Sequence, residues 1–462
     1  MRQFVSCNLT ALMLAVGVTL AWGGPALAAG GDAPVLRQSP DAGPRLGGGK
    51  KPVDDAPGAE TPPGTPPGTP PDTAPDTAPE APPETPGTTP EPPDAAPDPA
   101  PPADGQPDDP EASALVHACD SAVAHPRDPD RPATVIGVES GDINIARAVA
   151  ACEAARAAYP NHARTAYHLG RAYHAANRPR EAETAYFAAL AAGYERAAVG
   201  VGYLYKDDNA LNRDAADAFP FFLRAAEAGI ADAELEMGWS YERGYGTAQD
   251  FAQAAYWYQR AADQGNKLAM NNLGWLYQEG KGVERDPVRA VALYRPAAEA
   301  GVAIAQNNLG WALANGVGVE QDQAEAAIWY RRAADNGETF GMLNLGYLYL
   351  YGDGVDRDPR EALALFQEAE DAGNSTAKSY IGEVYEFASE YYSAETAAWY
   401  YVRALKAGDD WPATREADNW DRETARAVQR ILRDNGFYNG AIDGVMGPGS
   451  VEAMKRVLPA EE

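Results

Sequence analysis

The sequence predicts an all-α protein: a right-handed α-solenoid of helical hairpins with a small helical C-terminal domain and a long disordered N-terminal tail. The first observation behind this prediction is the string NNLGW, which begins at Asn271 and returns 36 residues later at Asn307. Self-similarity at such a period is typical of chains that stack one supersecondary unit on the next. The second observation is a row of glycines at the same interval: Gly202, Gly238, Gly274, Gly310, Gly346 and Gly382.

Each 36-residue unit is predicted to hold two short helices joined by a glycine-rich turn. Ala269, Leu273 and Tyr277 lie at i, i+4 and i+8, which gives the first helix one apolar face. A pair of glycines then ends that helix, because residues with a Cβ rarely adopt positive φ. Asp286 followed by Pro287 indicates the capped start of the second helix. A hairpin cannot cover all its apolar faces with its own two helices, so neighbouring units are expected to stack.

The order LGxxY, GxG, aspartate, AxxWY and AAxxG at this period resembles the Sel1-like repeat, a relative of the tetratricopeptide repeat, over residues 196–410. The first and last of these units depart from the pattern because they lack the glycine pair. Upstream, residues 165–193 resemble a plain tetratricopeptide unit, so residues 113–195 are expected to form an N-terminal helical cap. The resemblance implies a scaffold that holds another protein.

The first quarter of the chain differs from the rest. Arg2, an apolar run over residues 9–22 and small residues up to Ala28 are typical of a cleavable signal peptide over residues 1–28. Residues 29–112 are predicted to be a disordered, proline-rich acidic tail, because residues 29–110 hold 25 of the 38 prolines and no aromatic residue. The expectation is export to the periplasm, with no transmembrane segment in the mature chain.

The net charge of the chain argues against anionic partners. The formal net charge is −29, and residues 29–111 contribute −12 of it through 16 carboxylates and four basic side chains. The remainder is therefore acidic as well. No basic stripe is present that would follow a phosphate backbone, so neither a nucleic acid nor an anionic lipid surface is expected as a partner.

Two cysteines, Cys119 and Cys152, remain once the predicted signal peptide is removed. Disulfides persist in oxidising compartments, so we predict a structural bridge between these two residues. Two separately buried thiols are the alternative, because geometry decides whether cysteines pair.

No motif for catalysis, metal binding or cofactor binding is found. The histidines form no HExxH or i, i+4 pair, and the chain has no CxxC. The glycine pairs end helices, whereas a dinucleotide-binding glycine loop begins one. We therefore expect no enzymatic activity, no metal and no cofactor. The histidines, which all precede the main repeats, are His117, His125, His162, His168 and His174.

An aromatic residue directly follows the row glycine in five consecutive units. As candidate partner-binding residues, these rings would form a ladder along the concave wall, able to stack on sugars or hold a partner's side chains. The alternative is that the rings fill the seams between helices. The five residues are Tyr203, Trp239, Trp275, Trp311 and Tyr347.

Residues 415–458 break the 36-residue rhythm and are predicted to be a separate module. A helix after Asp421 leads into the glycine-rich turn NGFYNGAIDGVMGPG and then into a second helix that Ser450 is expected to cap. The letters of this run resemble the small helical peptidoglycan-binding domain of bacterial cell-wall proteins.

That resemblance implies that the turn contacts peptidoglycan, with Phe437, Tyr438 and Asp443 as candidate binding residues. The two rings are suited to stacking on sugars. The alternative for Asp443 is structural, since aspartate side chains fix turns by bonding to nearby amides.

Three functions follow from these observations. The first is an exported, non-enzymatic scaffold for an unidentified protein partner, with cell-wall contact through the C-terminal domain. The second is a regulatory protein or inhibitor that docks on an envelope sensor. The third is a cell-wall-processing enzyme, since wall-binding domains often accompany hydrolases.

Overall fold

The computed structural model describes residues 110–127, 131–138, 140–207 and 211–459. Every regular element within these ranges is a helix, which confirms the predicted all-α class. The predicted signal peptide and nearly all of the proline-rich tail lie outside the described residues. The chain divides into two compact units, with the first ending at Ala218 and the second beginning at Phe219.

The first unit holds the predicted N-terminal cap, and its first two helices are joined by the disulfide between Cys119 and Cys152. Both cysteines are fully buried, and their Cα atoms are 4.6 Å apart. The predicted pairing is thus confirmed, and the disulfide cross-links α1 to α2. The helices of this unit are α1 (Pro110–Val123), α2 (Ile145–Ala158), α3 (Ala163–Ala175), α4 (Pro179–Ala191) and α5 (Arg196–Asp207).

Two of the five histidines that precede the main repeats make structural contacts in this unit. His162 is the N-cap of α3, where its ring nitrogen accepts a hydrogen bond from the Thr165 amide at 3.2 Å. His168 is buried and lies 2.9 Å from the Asp120 carboxylate, which also pairs with Arg164 at 3.1 Å. Burial tends to raise the pKa of Asp120, but His168 and Arg164 outweigh it and hold that pKa below its usual value.

The second unit carries the repeat. Successive helices pair into hairpins, and each hairpin packs on the next. The helices α7 to α14 each span 13 residues, so the 36-residue period corresponds to two equal helices and two connections. Helix α6 (Ala215–Glu227) crosses the boundary between the units. The others are α7 (Ala231–Arg243), α8 (Phe251–Asp263), α9 (Lys267–Glu279), α10 (Pro287–Glu299), α11 (Ala303–Asn315), α12 (Gln323–Asp335), α13 (Thr339–Tyr351), α14 (Pro359–Asp371), α15 (Ala377–Phe387) and α16 (Ala394–Lys406).

The predicted turn chemistry is confirmed. The first glycine of each pair is a left-handed C-cap, and the aspartate that follows accepts hydrogen bonds from amides in the first turn of the next helix. The C-cap glycines are Gly244, Gly280, Gly316 and Gly352, and the N-cap aspartates are Asp250, Asp286, Asp322 and Asp358.

Five of the row glycines are needed because a tyrosine or phenylalanine ring of the paired second helix lies against each of them: Gly238, Gly274, Gly310, Gly346 and Gly382. A Cβ on Gly310 would be 2.8 Å from two ring carbons of Tyr330, and one on Gly274 would be 2.7 Å from Tyr294. The second glycine of each pair serves a different contact: Gly318 abuts the backbone of Pro287, the first residue of the preceding unit's second helix. Neighbouring units therefore interlock at a point where no side chain fits.

The C-terminal module is not free-standing. Its elements are a 3-10 turn (Ala417–Asn419), α18 (Arg422–Asp434) and α19 (Pro448–Lys455), and the short helix α17 (Trp411–Thr414) directly precedes it. Val428 and Leu432 of α18 share one apolar core with Val402 and Leu405 of α16, so the module continues the repeat stack. The prediction that Ser450 caps the last helix is wrong. The helix begins at Pro448, whose fixed φ suits the first helical position, and Ser450 is buried.

A buried ion pair joins the module to the last repeat. The guanidinium of Arg415 meets Glu386 of α15 at 2.6 and 3.1 Å, and the Tyr401 hydroxyl and Asp421 amide donate to the same carboxylate at 2.6 and 2.7 Å. Burial raises the pKa of Glu386, and Arg415 opposes that rise. The bidentate guanidinium and the two further donors each favour the ionised form of the Glu386 carboxyl. The indole of Trp420 covers the guanidinium at 4.4 Å.

Candidate functional site

The predicted aromatic row occupies the ninth position of successive first helices in the second unit. Trp239, Trp275 and Trp311 are buried, with 2 to 4% of each side chain exposed, while Tyr347 is half-buried. Tyr203 is half-buried on α5 of the first unit. The burial of the three indoles fits the interpretation that they fill helix seams, and binding by the row stays a prediction.

In two units the residue six positions after the row ring lies against that ring. Tyr245 lies 4.9 Å from the ring of Trp239, measured between centroids. One unit later Lys281 places its ammonium 4.6 Å from the centre of Trp275. The equivalent residues beyond Trp311 and Tyr347 are Val317 and Asp353.

A groove of about 220 Å³ opens beside Trp311 and Tyr347, between the C-terminal halves of α11 and α13. The loop after α13 contributes the Asp353 carboxylate, and α12 contributes Gln323 and Tyr330. None of the lining residues is basic. The groove therefore brings two residues of the predicted row together with side chains from the second helix.

Two polar atoms beside this groove are buried with no hydrogen-bond partner in the described parts of the chain. They are the indole nitrogen of Trp311, a donor, and the amide oxygen of Gln323, an acceptor. A buried polar atom without a partner costs about 1–3 kcal/mol. Burial raises the pKa of Tyr347 to about 12, and the charges of Glu383 and Asp353 add to that rise. The groove thus presents an acceptor, a donor, a neutral phenol and a carboxylate.

The row was found from the sequence, but the other half of the groove was missed. In the other four 36-residue units the position of Gln323 is occupied by Ala215, Phe251, Pro287 and Pro359, so it follows no repeat pattern. The signal that was available is a departure from the repeat, since Asp353 stands where an earlier unit has a lysine.

A second unusual group, Glu383, lies under the rings next to the groove. It is fully buried on α15, and burial raises its pKa to about 8, helped by the charge of Glu386 and opposed by Arg415. The side chain also pairs with the hydroxyl of Tyr351, whose ring lies 4.7 Å from that of Tyr347. Glu383 is therefore largely protonated at neutral pH.

In the C-terminal turn, the Asp443 side chain fixes the conformation of the turn through hydrogen bonds. It accepts hydrogen bonds from the Gln429 side chain at 3.0 Å and from the Val445 amide at 2.9 Å, and these bonds lower its pKa. Tyr438 donates to the Ala441 carbonyl at 2.9 Å, and its ring packs on the core beside Phe437. The structural role proposed for Asp443 is thus present, while peptidoglycan contact by the three residues stays a prediction.

Two general features bear on other kinds of site. Within residues 110–127, 131–138, 140–207 and 211–459, no group of three or more histidine, cysteine, aspartate or glutamate side chains is placed to hold a metal ion. Within the same ranges no helix has the length and apolarity needed to cross a membrane.

Stacked two-helix units with glycine C-caps define a helical-repeat protein. More narrowly, residues 195–230, 231–266, 267–302, 303–338 and 339–374 match the Sel1 repeat family model, so this part of the chain is five tandem Sel1 repeats. Sel1-repeat proteins are protein–protein interaction scaffolds. The match includes the first unit, which lacks the glycine pair, and it ends before the hairpin of α15 and α16.

Two solved structures are similar to this chain. A protective antigen present in uropathogenic Escherichia coli strains, which displays an SLR fold, is 22% identical with a TM-score of 0.51, covering 68% of this chain and 73% of its own. A Sel1 repeat protein from Oxalobacter formigenes is 26% identical with a TM-score of 0.44, covering 54% of this chain and 92% of its own. No curated protein sequence matches the chain significantly. The first likeness supports the repeat fold, and the right-handed sense of the stack stays a prediction.

Proposed function

We propose that this protein is an exported, non-enzymatic scaffold that holds a protein partner against the first helices of its Sel1 repeats. The observation that carries the proposal is the groove beside Trp311 and Tyr347 within the five tandem repeats. Its buried donor and acceptor have no partner within the described chain, which favours a surface completed by another molecule.

Photocrosslinking in living cells tests this proposal. A benzophenone amino acid at Tyr347, which borders the groove, is expected to give one dominant protein adduct. The same label at Tyr256, an exposed ring on α8, is the matched control. Equal adduct patterns at both positions, or no adduct at Tyr347, would overturn the proposal. An adduct with an inner-membrane sensor would make the scaffold a regulator.

Export to the periplasm is part of the same proposal. The disulfide between Cys119 and Cys152 supports it, because such bridges persist in oxidising compartments. Cell fractionation followed by thiol alkylation is the test. The expected result is periplasmic protein in which neither cysteine is alkylated before reduction. Cytoplasmic protein with reactive thiols would contradict this step.

We also propose that the C-terminal module touches the cell wall through the ring of Tyr438, as the resemblance of this stretch implies. Purified wall sacculi are incubated with the full chain, with Tyr438→Ala and with the control Tyr256→Ala, and the pellets are compared. Loss of pelleting in Tyr438→Ala alone is the expected result, and equal pelleting would remove the wall as a ligand. Release of soluble wall fragments would instead indicate a wall-processing enzyme and overturn the non-enzymatic proposal.

A further inference from the structure

We propose that the groove beside Trp311 and Tyr347 binds an arginine or lysine side chain, so that the protein partner presents a basic segment to it. This inference rests on the proposed function, since it describes what the partner places in the groove. Its three supports are the charge of the lining, a cation that the chain already holds at the equivalent place, and the two buried polar atoms.

The charge of the lining favours a cation. The groove is bordered by one carboxylate, three aromatic rings and neutral amides, with no basic side chain. Asp353 forms no ion pair with any described residue, so its charge is available to a ligand. The rings of Trp311, Tyr330 and Tyr347 line the groove, and aromatic rings attract ammonium and guanidinium groups.

The chain itself shows that a cation fits this place in the repeat. Two units earlier, the ammonium of Lys281 lies 4.6 Å from the ring centre of Trp275 and 5.5 Å from that of Phe251. In the groove, the corresponding residues are Asp353, Tyr347 and Gln323. The position of Lys281 is thus occupied by an aspartate, and the position of Phe251 by a glutamine with a hydrogen-bond acceptor. The earlier site contains its own cation, whereas the groove contains an anion at the same position. A cation bound in the groove therefore has to belong to another molecule.

The buried polar atoms fit the same ligand. The free amide oxygen of Gln323 is an acceptor for an N–H of the guanidinium or ammonium group. The free indole N–H of Trp311 is a donor, which suits the main-chain carbonyl of the residue that carries the cation. Arginine suits the groove best, because its planar guanidinium both stacks on rings and donates several hydrogen bonds.

Short peptides test the charge requirement directly. The probes are acetyl-Ala-Ala-Arg-Ala-Ala-amide and the same peptide with citrulline, a neutral isostere of arginine, titrated into the full chain and followed by ligand-observed NMR. The arginine peptide is expected to bind roughly tenfold more tightly, the combined effect of one cation–π contact and one ion pair. Equal affinities would overturn the inference.

Three variants locate the binding. Asp353→Asn is expected to weaken binding of the arginine peptide roughly threefold. Asp356→Asn alters an exposed carboxylate of the same loop and is expected to leave the affinity unchanged. Asp353→Lys places a lysine at the register of Lys281 within the groove, and the chain's own cation is then expected to lie beside Tyr347 and weaken binding of the peptide roughly fivefold. Affinities unaffected by Asp353→Asn and Asp353→Lys would place any binding elsewhere and overturn the inference.

The two proposals fail in different ways. If the label at Tyr347 captures a partner but arginine and citrulline peptides bind alike, the partner surface stands and the basic side chain does not. If the label captures nothing, the scaffold proposal itself fails.

Discussion

Replacing Glu383 with glutamine is expected to remove a large pH dependence from the stability of the second unit. Glu383 lies on α15 with 3% of its surface exposed, and burial raises its pKa to about 8. An isolated carboxyl in the unfolded chain titrates at the ordinary value of 4.5. The folded state therefore holds its proton more tightly than the unfolded state does.

The sign and size follow from this difference. Because the folded pKa is raised, the stability from the neutral carboxyl is fully present below pH 4.5 and is lost as the pH rises through about 8. Each pKa unit corresponds to about 1.36 kcal/mol, so the free energy of unfolding is expected to fall by roughly 4 kcal/mol between about pH 5 and pH 9. Glutamine keeps the shape and stays neutral, so Glu383→Gln lacks this fall.

Urea unfolding followed by tryptophan fluorescence is the assay. It reports on the second unit, because apart from Trp22 every tryptophan of the sequence lies after residue 219. The control is Glu368→Gln, an exposed glutamate of α14, which corrects for the general effect of removing one charge from an acidic protein. Equal pH slopes for wild type and Glu383→Gln, after that correction, would refute the assignment of a buried neutral carboxyl.

Three further changes act on stability alone. Cys119→Ser opens a bridge that spans 33 residues and is expected to cost the first unit about 4 kcal/mol, seen as a lower thermal midpoint by circular dichroism. Gly310→Ala places a Cβ 2.8 Å from the ring of Tyr330 and is expected to lower the free energy of unfolding by about 1–3 kcal/mol in urea. Arg415→Met leaves Glu386 buried without its partner and is expected to cost about 3–5 kcal/mol in the same assay.

Each of these changes has a control or a contradicting result. Gly447 has a φ of −77° and no atom within 4 Å of an added Cβ, so Gly447→Ala is expected to cost less than about 1 kcal/mol. A comparable loss at Gly447 and Gly310 would remove ring contact as the reason for the row glycines. Adding Glu386→Gln to Arg415→Met is expected to recover part of the loss, and an additive loss would contradict the burial argument. An unchanged midpoint in Cys119→Ser would show that the bridge does not limit stability.

The repeat was predictable because its positions have local, recurring requirements. Gly280 ends a helix at positive φ, Asp286 caps the next one, and Gly274 lies under a ring, and each requirement returns every 36 residues. The disulfide was predictable because the sequence predicts an export signal and leaves only two cysteines, Cys119 and Cys152, after it.

What the sequence did not reveal depends on contacts between distant residues. The groove side chains Gln323 and Asp353 depart from the repeat, and a repeat pattern gives no information about residues that depart from it. The shared core of α16 and α18 comes from tertiary packing. The sequence after residue 415 no longer follows the 36-residue period, so the period did not predict this packing. Ser450 has the residue type of a cap, but Pro448 two positions earlier already starts the helix.

The interlock at Gly318 has a consequence for how such a chain can change in length. That glycine touches the backbone of Pro287 in the preceding unit, so a residue inserted or deleted between the two moves this turn out of contact with its neighbour. Growth by duplication is therefore restricted to whole 36-residue modules. The terminal hairpin of α15 and α16 lacks the glycine pair, and Arg415 and Trp420 cover it instead, so it is the natural place for the array to stop lengthening.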